Sequence, residues 1–219
     1  MSTFFKHFRS SFNNRGFTLI ELLVVVAVIS IITAFLLFNQ NKFNSSTLMR
    51  SLAYSVALSI RQAQLYGVSV RGFGSATSPS FAPGYGVYFD NANTFTLFAD
   101  TNGDGAYTAG EGLTGVGGVL VSIGRGYSIG RFCAISSSGV QDCYPSANGG
   151  GTISNMTIYF KRPNPDAAFS ATCGSGCSTP YTSAYIQVKS AGNSDTRSIK
   201  ITSTGQITVC PLNVAPPNC

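Results

Sequence analysis

The run from Phe17 to Phe38, FTLIELLVVVAVISIITAFLLF, holds one charged side chain, Glu21, and otherwise only Thr18, Ser30 and Thr33 as polar side chains. Backbone placed in hydrocarbon has to satisfy its own hydrogen bonds, so a stretch this apolar is expected to be helical. At about 1.5 Å per residue it is long enough to cross a hydrocarbon layer of about 30 Å. Lys6, Arg9 and Arg15 precede it with no acid among them, the pattern of a cytoplasmic flank. The segment reads as a membrane span whose basic side stays inside.

A cleavable secretory signal is the competing reading. Its apolar stretch runs about 7 to 15 residues and ends in a small-residue cleavage site. Here the run is longer, and Asn39-Gln40-Asn41-Lys42 beyond it offers no such site. Glu21 weighs the same way, because a carboxylate in a span costs about 2.5 kcal/mol or more at mid-membrane and calls for a partner. A cut between Gly16 and Phe17 supplies one. The new α-amine of Phe17 would lie one helical turn from Glu21, and in a bundle of such helices the amine of one chain can meet the carboxylate of its neighbour.

The heptapeptide Arg15-Gly16-Phe17-Thr18-Leu19-Ile20-Glu21, followed by Leu, Val and Ile, resembles the class III signal of type IV pilins and of the pseudopilins of type II secretion. The resemblance implies cleavage after Gly16 by a prepilin peptidase and N-methylation of Phe17. It also implies a single-pass anchor in a bacterial inner membrane, a periplasmic globular domain, and incorporation into a pilus or pseudopilus beside other pilins or pseudopilins. One departure is the absence of proline before Pro79, where many major pilins carry one near the middle of the helix.

Beyond the span, Leu48, Leu52, Val56, Ile60 and Ala63 recur at spacings of three and four, the signature of an amphipathic helix face turned to a core. Gly67 is a plausible stop, so one helix from Phe17 to Tyr66 is expected, about 75 Å long at the same rise. Short β-prone runs follow: Tyr85 to Phe89, Phe95 to Ala99, Gly118 to Ile123, Ile153 to Phe160, Ala184 to Lys189, Ser198 to Thr202 and Gln206 to Cys210. Ile186, Val188, Ile199, Ile201, Ile207 and Val209 would line one face of an antiparallel sheet, with Ser203-Thr204-Gly205 as a tight connection. A helix leaning on such a sheet makes an α+β domain. The expected organisation is a leader at 1–16, a transmembrane and assembly helix at 17–38, its amphipathic continuation at 39–66, and a β-rich globular domain at 67–219.

Six cysteines, Cys133, Cys143, Cys173, Cys177, Cys210 and Cys219, all lie in the second half of the chain. An even number in an exported, loop-rich region reads as disulfides. The local set is expected, joining Cys133 to Cys143, Cys173 to Cys177 and Cys210 to Cys219. Zinc at the Cys173-Gly-Ser-Gly-Cys177 spacing is the alternative, but the sole histidine, His7, sits in the leader. The long helix, GYGVYFD from Gly84, FTLFADTNGDG from Phe95, and RSIKITSTGQITV from Arg197 together resemble the H-type minor pseudopilins and similar minor pilins. That resemblance implies a place at or near the fibre tip and a role in priming or capping assembly. The Ser-, Gly- and Cys-rich segments Cys133 to Gly151 and Asn164 to Tyr181 look like insertions on the shared domain.

Asp100-Thr-Asn102-Gly-Asp104-Gly105-Ala106-Tyr-Thr108-Ala-Gly-Glu111 matches a calcium-loop spacing. Oxygens from Asp100, Asn102 and Asp104, the Ala106 carbonyl, Thr108 through water, and both oxygens of Glu111 could surround Ca²⁺, while Gly105 gives the sharp turn. A plain hairpin turn explains Asn102-Gly103 and Asp104-Gly105 equally well. No catalytic residues are expected, since removal of His7 with the leader leaves no triad, and Asp90, Asp100, Asp104 and Glu111 suit calcium or turns better than acid-base work. The formal +6 does not point to a polyanion surface, because half of it leaves with Lys6, Arg9 and Arg15. DNA remains a conceivable but disfavoured partner of a tip-located binding module, with Tyr144, Tyr159, Lys161 and Arg162 as the few candidate contacts.

Overall fold

In the computed structural model the described residues are 16–69, 72–75, 78–81, 84–90, 94–113, 127–146, 151–190, 192, 195–216 and 218–219. They form one long helix, α1 (Leu19–Val68), and eleven strands. The strands are β1 (Phe73–Ser75), β2 (Ser78–Ser80), β3 (Gly84–Phe89), β4 (Phe95–Asp100), β5 (Ser128–Ser136), β6 (Gln141–Tyr144), β7 (Thr152–Lys161), β8 (Ala167–Ser175), β9 (Tyr181–Lys189), β10 (Thr196–Thr202) and β11 (Ile207–Leu212). The architecture is α+β with a pilin-like N-terminal helix. Two compact units emerge, Met1–Asn44 and Ser45–Cys219. The expected strand at Gly118 to Ile123 lies outside the described residues.

In the first unit, Thr18 caps the helix by accepting a hydrogen bond at its Oγ1 from the Glu21 amide, 3.3 Å away. Leu19–Leu37 is long and apolar enough to cross a membrane, and none of it is buried. Its two hydroxyl side chains bond to their own helix: Ser30 Oγ donates to the Val26 carbonyl at 2.8 Å and Thr33 Oγ1 to the Ile29 carbonyl at 2.7 Å. Each hydroxyl is thereby satisfied within its own helix, as an apolar surrounding requires.

In the second unit, Met49, Ala53, Val56, Ala57, Ile60 and Ala63 of α1 are buried in the core. The expected stripe is therefore turned at its start, because Leu48 is half-buried and Leu52 packs only partly on the core while Met49 and Ala53 take the central line. Small side chains on that line let the helix approach the sheet closely. Gly67 shows the same need. It lies within the last turn rather than ending the helix, and a Cβ there would stand 2.5 Å from the Phe160 carbonyl oxygen.

The main sheet runs β11-β10-β9-β5-β6-β7-β3-β4, with β8 also paired to β7. All of its ladders are antiparallel except β6 with β7, which meet in parallel at the single pair Cys143 and Thr152. The sheet is thus two antiparallel blocks, β11-β10-β9-β5-β6 and β8-β7-β3-β4, joined at one residue pair. In the first block, Ile199 lies opposite both Ile186 and Val209, and Ile201 opposite Ile207, so the expected apolar face forms. The segments taken for insertions are part of this sheet: Cys133 to Gly151 holds the end of β5 and all of β6, and Asn164 to Tyr181 holds β8. β8 carries no sequence signal because its outward residues, such as Ser170, Thr172 and Gly174, are exposed and small, so no apolar alternation marks it.

Gln64 ties helix to sheet. Its buried amide donates to the Pro165 carbonyl at 2.8 Å and the Gly205 carbonyl at 3.0 Å, while its oxygen accepts from Arg61. Gly205 follows the expected Ser203-Thr204 turn at φ +77°, and a Cβ there would fall 2.2 Å from the Pro165 oxygen. Gly205→Ala is expected to lower stability by about 1–3 kcal/mol, read as a denaturant midpoint of the full chain in detergent. An unchanged midpoint would mean that this contact does not constrain the turn.

Candidate functional site

Three regions bear on function: the start of α1, the loop from Asp100 to Leu113, and the junction of the two strand blocks. At the start of α1, Gly16, Phe17 and Thr18 precede the first helical turn and are exposed, with Phe17 79% exposed, and among the described residues nothing crowds Gly16. Glu21 falls in the first helical turn with its carboxylate in the open. That position is favourable in itself, since the N-terminal end of a helix dipole attracts negative charge. Thr18 and Glu21 also stand three apart, the spacing of a capping box, which the sequence reading missed. The structure forms the Thr18 half of it.

After β4, the chain from Thr101 loops out and returns against β4 itself: the Ala99 amide donates to the Glu111 carbonyl and the Leu113 amide to the Leu97 carbonyl, both at 3.0 Å. Within the loop, the Asp100 carboxylate accepts from the Gly103 amide at 2.7 Å and the Gly105 amide at 3.0 Å. Asn102 Oδ1 accepts from the Asp104 amide, and Asp104 Oδ1 from the Ala106 amide. Both oxygens of Glu111 are engaged as well, by the Thr101 amide and hydroxyl on one side and the Thr108 amide on the other, each at 2.9 Å. Asp100 and Glu111 are buried, whereas Asp104 is exposed. Among the described residues no three His, Cys, Asp or Glu side chains are gathered closely enough to hold a metal. Here the acids of the loop serve its backbone.

The loop also covers apolar surface. Tyr107 packs on Tyr88, with ring centres 4.6 Å apart, and edge-on to Phe98 at 5.5 Å. Gly105, at φ +73°, sits directly on the Tyr159 ring, where a Cβ would approach to 2.8 Å. Asp90 stands at the far end of the β3–β4 ladder from Asp100, since Gly84 pairs with Asp100 and Phe89 with Phe95. The four acids therefore do not form one acid-base centre.

The cysteines are joined as Cys133–Cys143, Cys173–Cys177 and Cys210–Cys219. The first links directly opposed residues of β5 and β6, and the second rests on Gly151, where a Cβ would meet Cys177 at 2.8 Å. Between these two disulfides lies Asp142, fully buried, which the sequence reading did not single out. Its Oδ1 accepts from the Gly151 amide at 2.7 Å, and its Oδ2 from the Ser178 amide at 2.7 Å and the Tyr181 hydroxyl at 2.9 Å. One carboxylate thus binds β6, the start of β7, the turn after β8 and the start of β9. An acid between two half-cystines carries no visible signal in sequence, because its donors come from positions 9 to 39 residues away. The DNA candidates do not converge: Tyr159, Lys161 and Arg162 line one cleft, while Tyr144 lies on β6 stacked on Phe132, with ring centres 5.2 Å apart.

The Tyr181 phenol is pushed up to about 12 by its burial, then by the hydrogen bond to Asp142 and by that carboxylate's charge. A proton held more tightly in the folded chain stabilises it fully below the ordinary phenol value of 10.0, and that contribution is lost as pH rises through about 12. Tyr181→Phe should remove this alkaline loss and lower neutral-pH stability by about 1 kcal/mol. Asp142→Ala, which leaves three donors without their acceptor, should cost about 3 kcal/mol or more, at about 1–3 kcal/mol for each buried donor left unsatisfied. Thermal unfolding followed across pH measures both, and wild-type-like melting of Asp142→Ala would remove its role at the junction.

The prokaryotic N-terminal methylation motif matches residues 11–37. No curated protein and no solved structure matches the chain.

Proposed function

We propose that this type IV pilin-like chain is a minor pseudopilin or minor pilin of the H type, a structural subunit that primes or caps a periplasmic pseudopilus or a type IV pilus. The observation that carries the reading is the methylation motif over residues 11–37, which contains the apolar helical stretch Leu19–Leu37, an arrangement that fits a single-pass inner-membrane anchor. In this reading the chain is cleaved after Gly16 and N-methylated at Phe17, which the motif match supports. Gly16 and Phe17 are exposed and lie outside the helix, which suits access by a peptidase, and no catalytic step is assigned to the chain.

Glu21 is the assembly residue in this reading. Cleavage creates the cation that its carboxylate pairs with on a neighbouring subunit, so processing makes the chain competent to assemble. Lateral contacts have a second candidate surface on the outward side of α1, where Tyr54, Leu58 and Leu65 are exposed and, with Arg61, Ile207 and Val209, the first two line an open groove of about 460 Å³. Glu21→Ala is expected to leave leader cleavage intact and to reduce incorporation into fibres about tenfold or more, as a lost charge pair in a membrane setting implies. Normal incorporation, scored by immunoblot of sheared fibres, would remove this account.

Calcium at Asp100, Asn102, Asp104, Ala106, Thr108 and Glu111 is proposed on the loop's spacing, with the ion drawing Asp100 and Glu111 away from some of their amide donors. Calorimetric titration with calcium at millimolar concentration tests it. The expected result is saturable heat that Glu111→Gln abolishes, and the absence of heat would sink the site. A tip-located binding module is the alternative function, favoured by one observation, the polar cleft beside Tyr159.

A further inference from the structure

Of the three disulfides, Cys133–Cys143 is closed to solvent, with both half-cystines fully buried in the β5–β6 ladder, and Cys210 is equally buried beside a half-buried Cys219. Cys173–Cys177 differs. Cys173 is exposed, as are Gly174, Ser175 and Gly176 after it, while Cys177 is half-buried and packs against the core. Exchange begins when a thiolate reaches a disulfide sulfur, so access decides which disulfide reacts in a folded chain. Cys173 is the half-cystine that stands in solvent.

The turn closed by this disulfide has little else to hold it. Gly174-Ser175-Gly176 buries no side chain, Gly176 adopts φ +68°, and glycine gains the most freedom when a constraint is lifted. The β7–β8 ladder is irregular at this end, with register shifts on either side of Ile153, which lies opposite Cys173. Cys177 leads directly to Ser178, whose amide donates to Asp142 Oδ2 at 2.7 Å. It also rests on Gly151, the source of a second bond to Asp142, where a Cβ would lie 2.8 Å from Cys177 Sγ. The disulfide therefore clamps the stretch that reaches the buried carboxylate.

We propose that Cys173–Cys177 is a thiol-exchange site, opened in the folded chain by an external dithiol while the other two disulfides stay closed, and that opening it frees Ser178 from Asp142. A thiolate of the dithiol attacks Cys173 Sγ and forms a mixed disulfide. The bond to Cys177 Sγ breaks, and Cys177 leaves as a thiolate that takes a proton from water. Its Sγ lies 3.8 Å from the carbonyl oxygens of Thr152 and Ser175, so the new thiol has acceptors in place. The second thiol of the dithiol, deprotonated, then attacks the reagent's own sulfur in the mixed disulfide and releases Cys173, which is protonated in turn. Two electrons pass to the chain, which ends with two thiols, and the dithiol ends as a disulfide. Asp142 keeps its bonds from Gly151 and Tyr181 and loses the one from Ser178, so the joining of the strand blocks depends on the thiol–disulfide balance around the domain.

The test treats the full chain, folded in detergent, with millimolar dithiothreitol, blocks free thiols with iodoacetamide and reads the labelled cysteines by peptide mass spectrometry. Cys173 and Cys177 are expected to label at least about tenfold faster than the other four, with the circular dichroism of the folded chain retained. Labelling of all six at one rate, or of Cys173 and Cys177 last, would overturn the site. The link to the junction is read separately, as amide hydrogen exchange at Ser178 in the Cys173→Ser/Cys177→Ser double variant. Wild type held in dithiothreitol serves if that variant fails to fold. Exchange at Ser178 should rise at least about tenfold while the β3 and β4 amides stay as in the oxidised chain, and an unchanged Ser178 rate would remove the coupling. Neither measurement involves fibres, so both outcomes are separate from that of the Glu21 experiment.

Discussion

The globular unit depends on one buried carboxylate. Its two antiparallel blocks share a single residue pair, Cys143 with Thr152, which is too little ladder to hold them in register. Asp142 supplies what the ladder lacks. It receives three hydrogen bonds from two separate segments, one from Gly151 before β7 and two from the Ser178–Tyr181 stretch that leads into β9. A carboxylate in such a place is tolerable because its oxygens are met by donors, and charge-assisted bonds are the stronger kind. The disulfides at Cys133–Cys143 and Cys173–Cys177 flank it and limit how far those segments can separate.

Around this junction the sheet has two working faces. One receives α1 through small residues and Gly67, and holds the core of Phe89, Phe132, Ile158, Phe160, Ile186 and Ile199. On the outer face of the β3–β4–β7 region, the Asp100–Leu113 loop closes over Tyr88, Phe98 and Tyr159 by way of Tyr107 and Gly105. The same acids that give that loop its sequence signature hold its amides. The loop is therefore a cover for aromatic surface as well as a turn.

How far sequence could anticipate this depends on which signal each segment carries. The apolar span, α1 and strands β3, β4, β7, β9, β10 and β11 were legible because alternation or helical spacing brings Val, Ile and Phe to one side, as with Ile186, Val188, Ile199 and Ile201. β5, β6 and β8 were not, since Gly130, Arg131, Ser170 and Gly174 interrupt the pattern, and short or edge strands bury too little to show a period. The N-terminal motif was legible because its chemistry is local, within Gly16 to Glu21. Asp142 was invisible for the opposite reason, as its partners are distant in the chain. The calcium spacing was equally visible, but residue types alone do not say whether their oxygens face a common centre or the amides of their own loop.

Ser30 and Thr33, folded back onto the carbonyls of Val26 and Ile29, leave the middle of the exposed apolar stretch Leu19–Leu37 without an unsatisfied polar side chain. At mid-length such a surface then offers a neighbouring apolar helix no polar group to register against. Among the side chains of this stretch, a polar choice of register against a neighbouring helix therefore falls to Glu21, its sole charge.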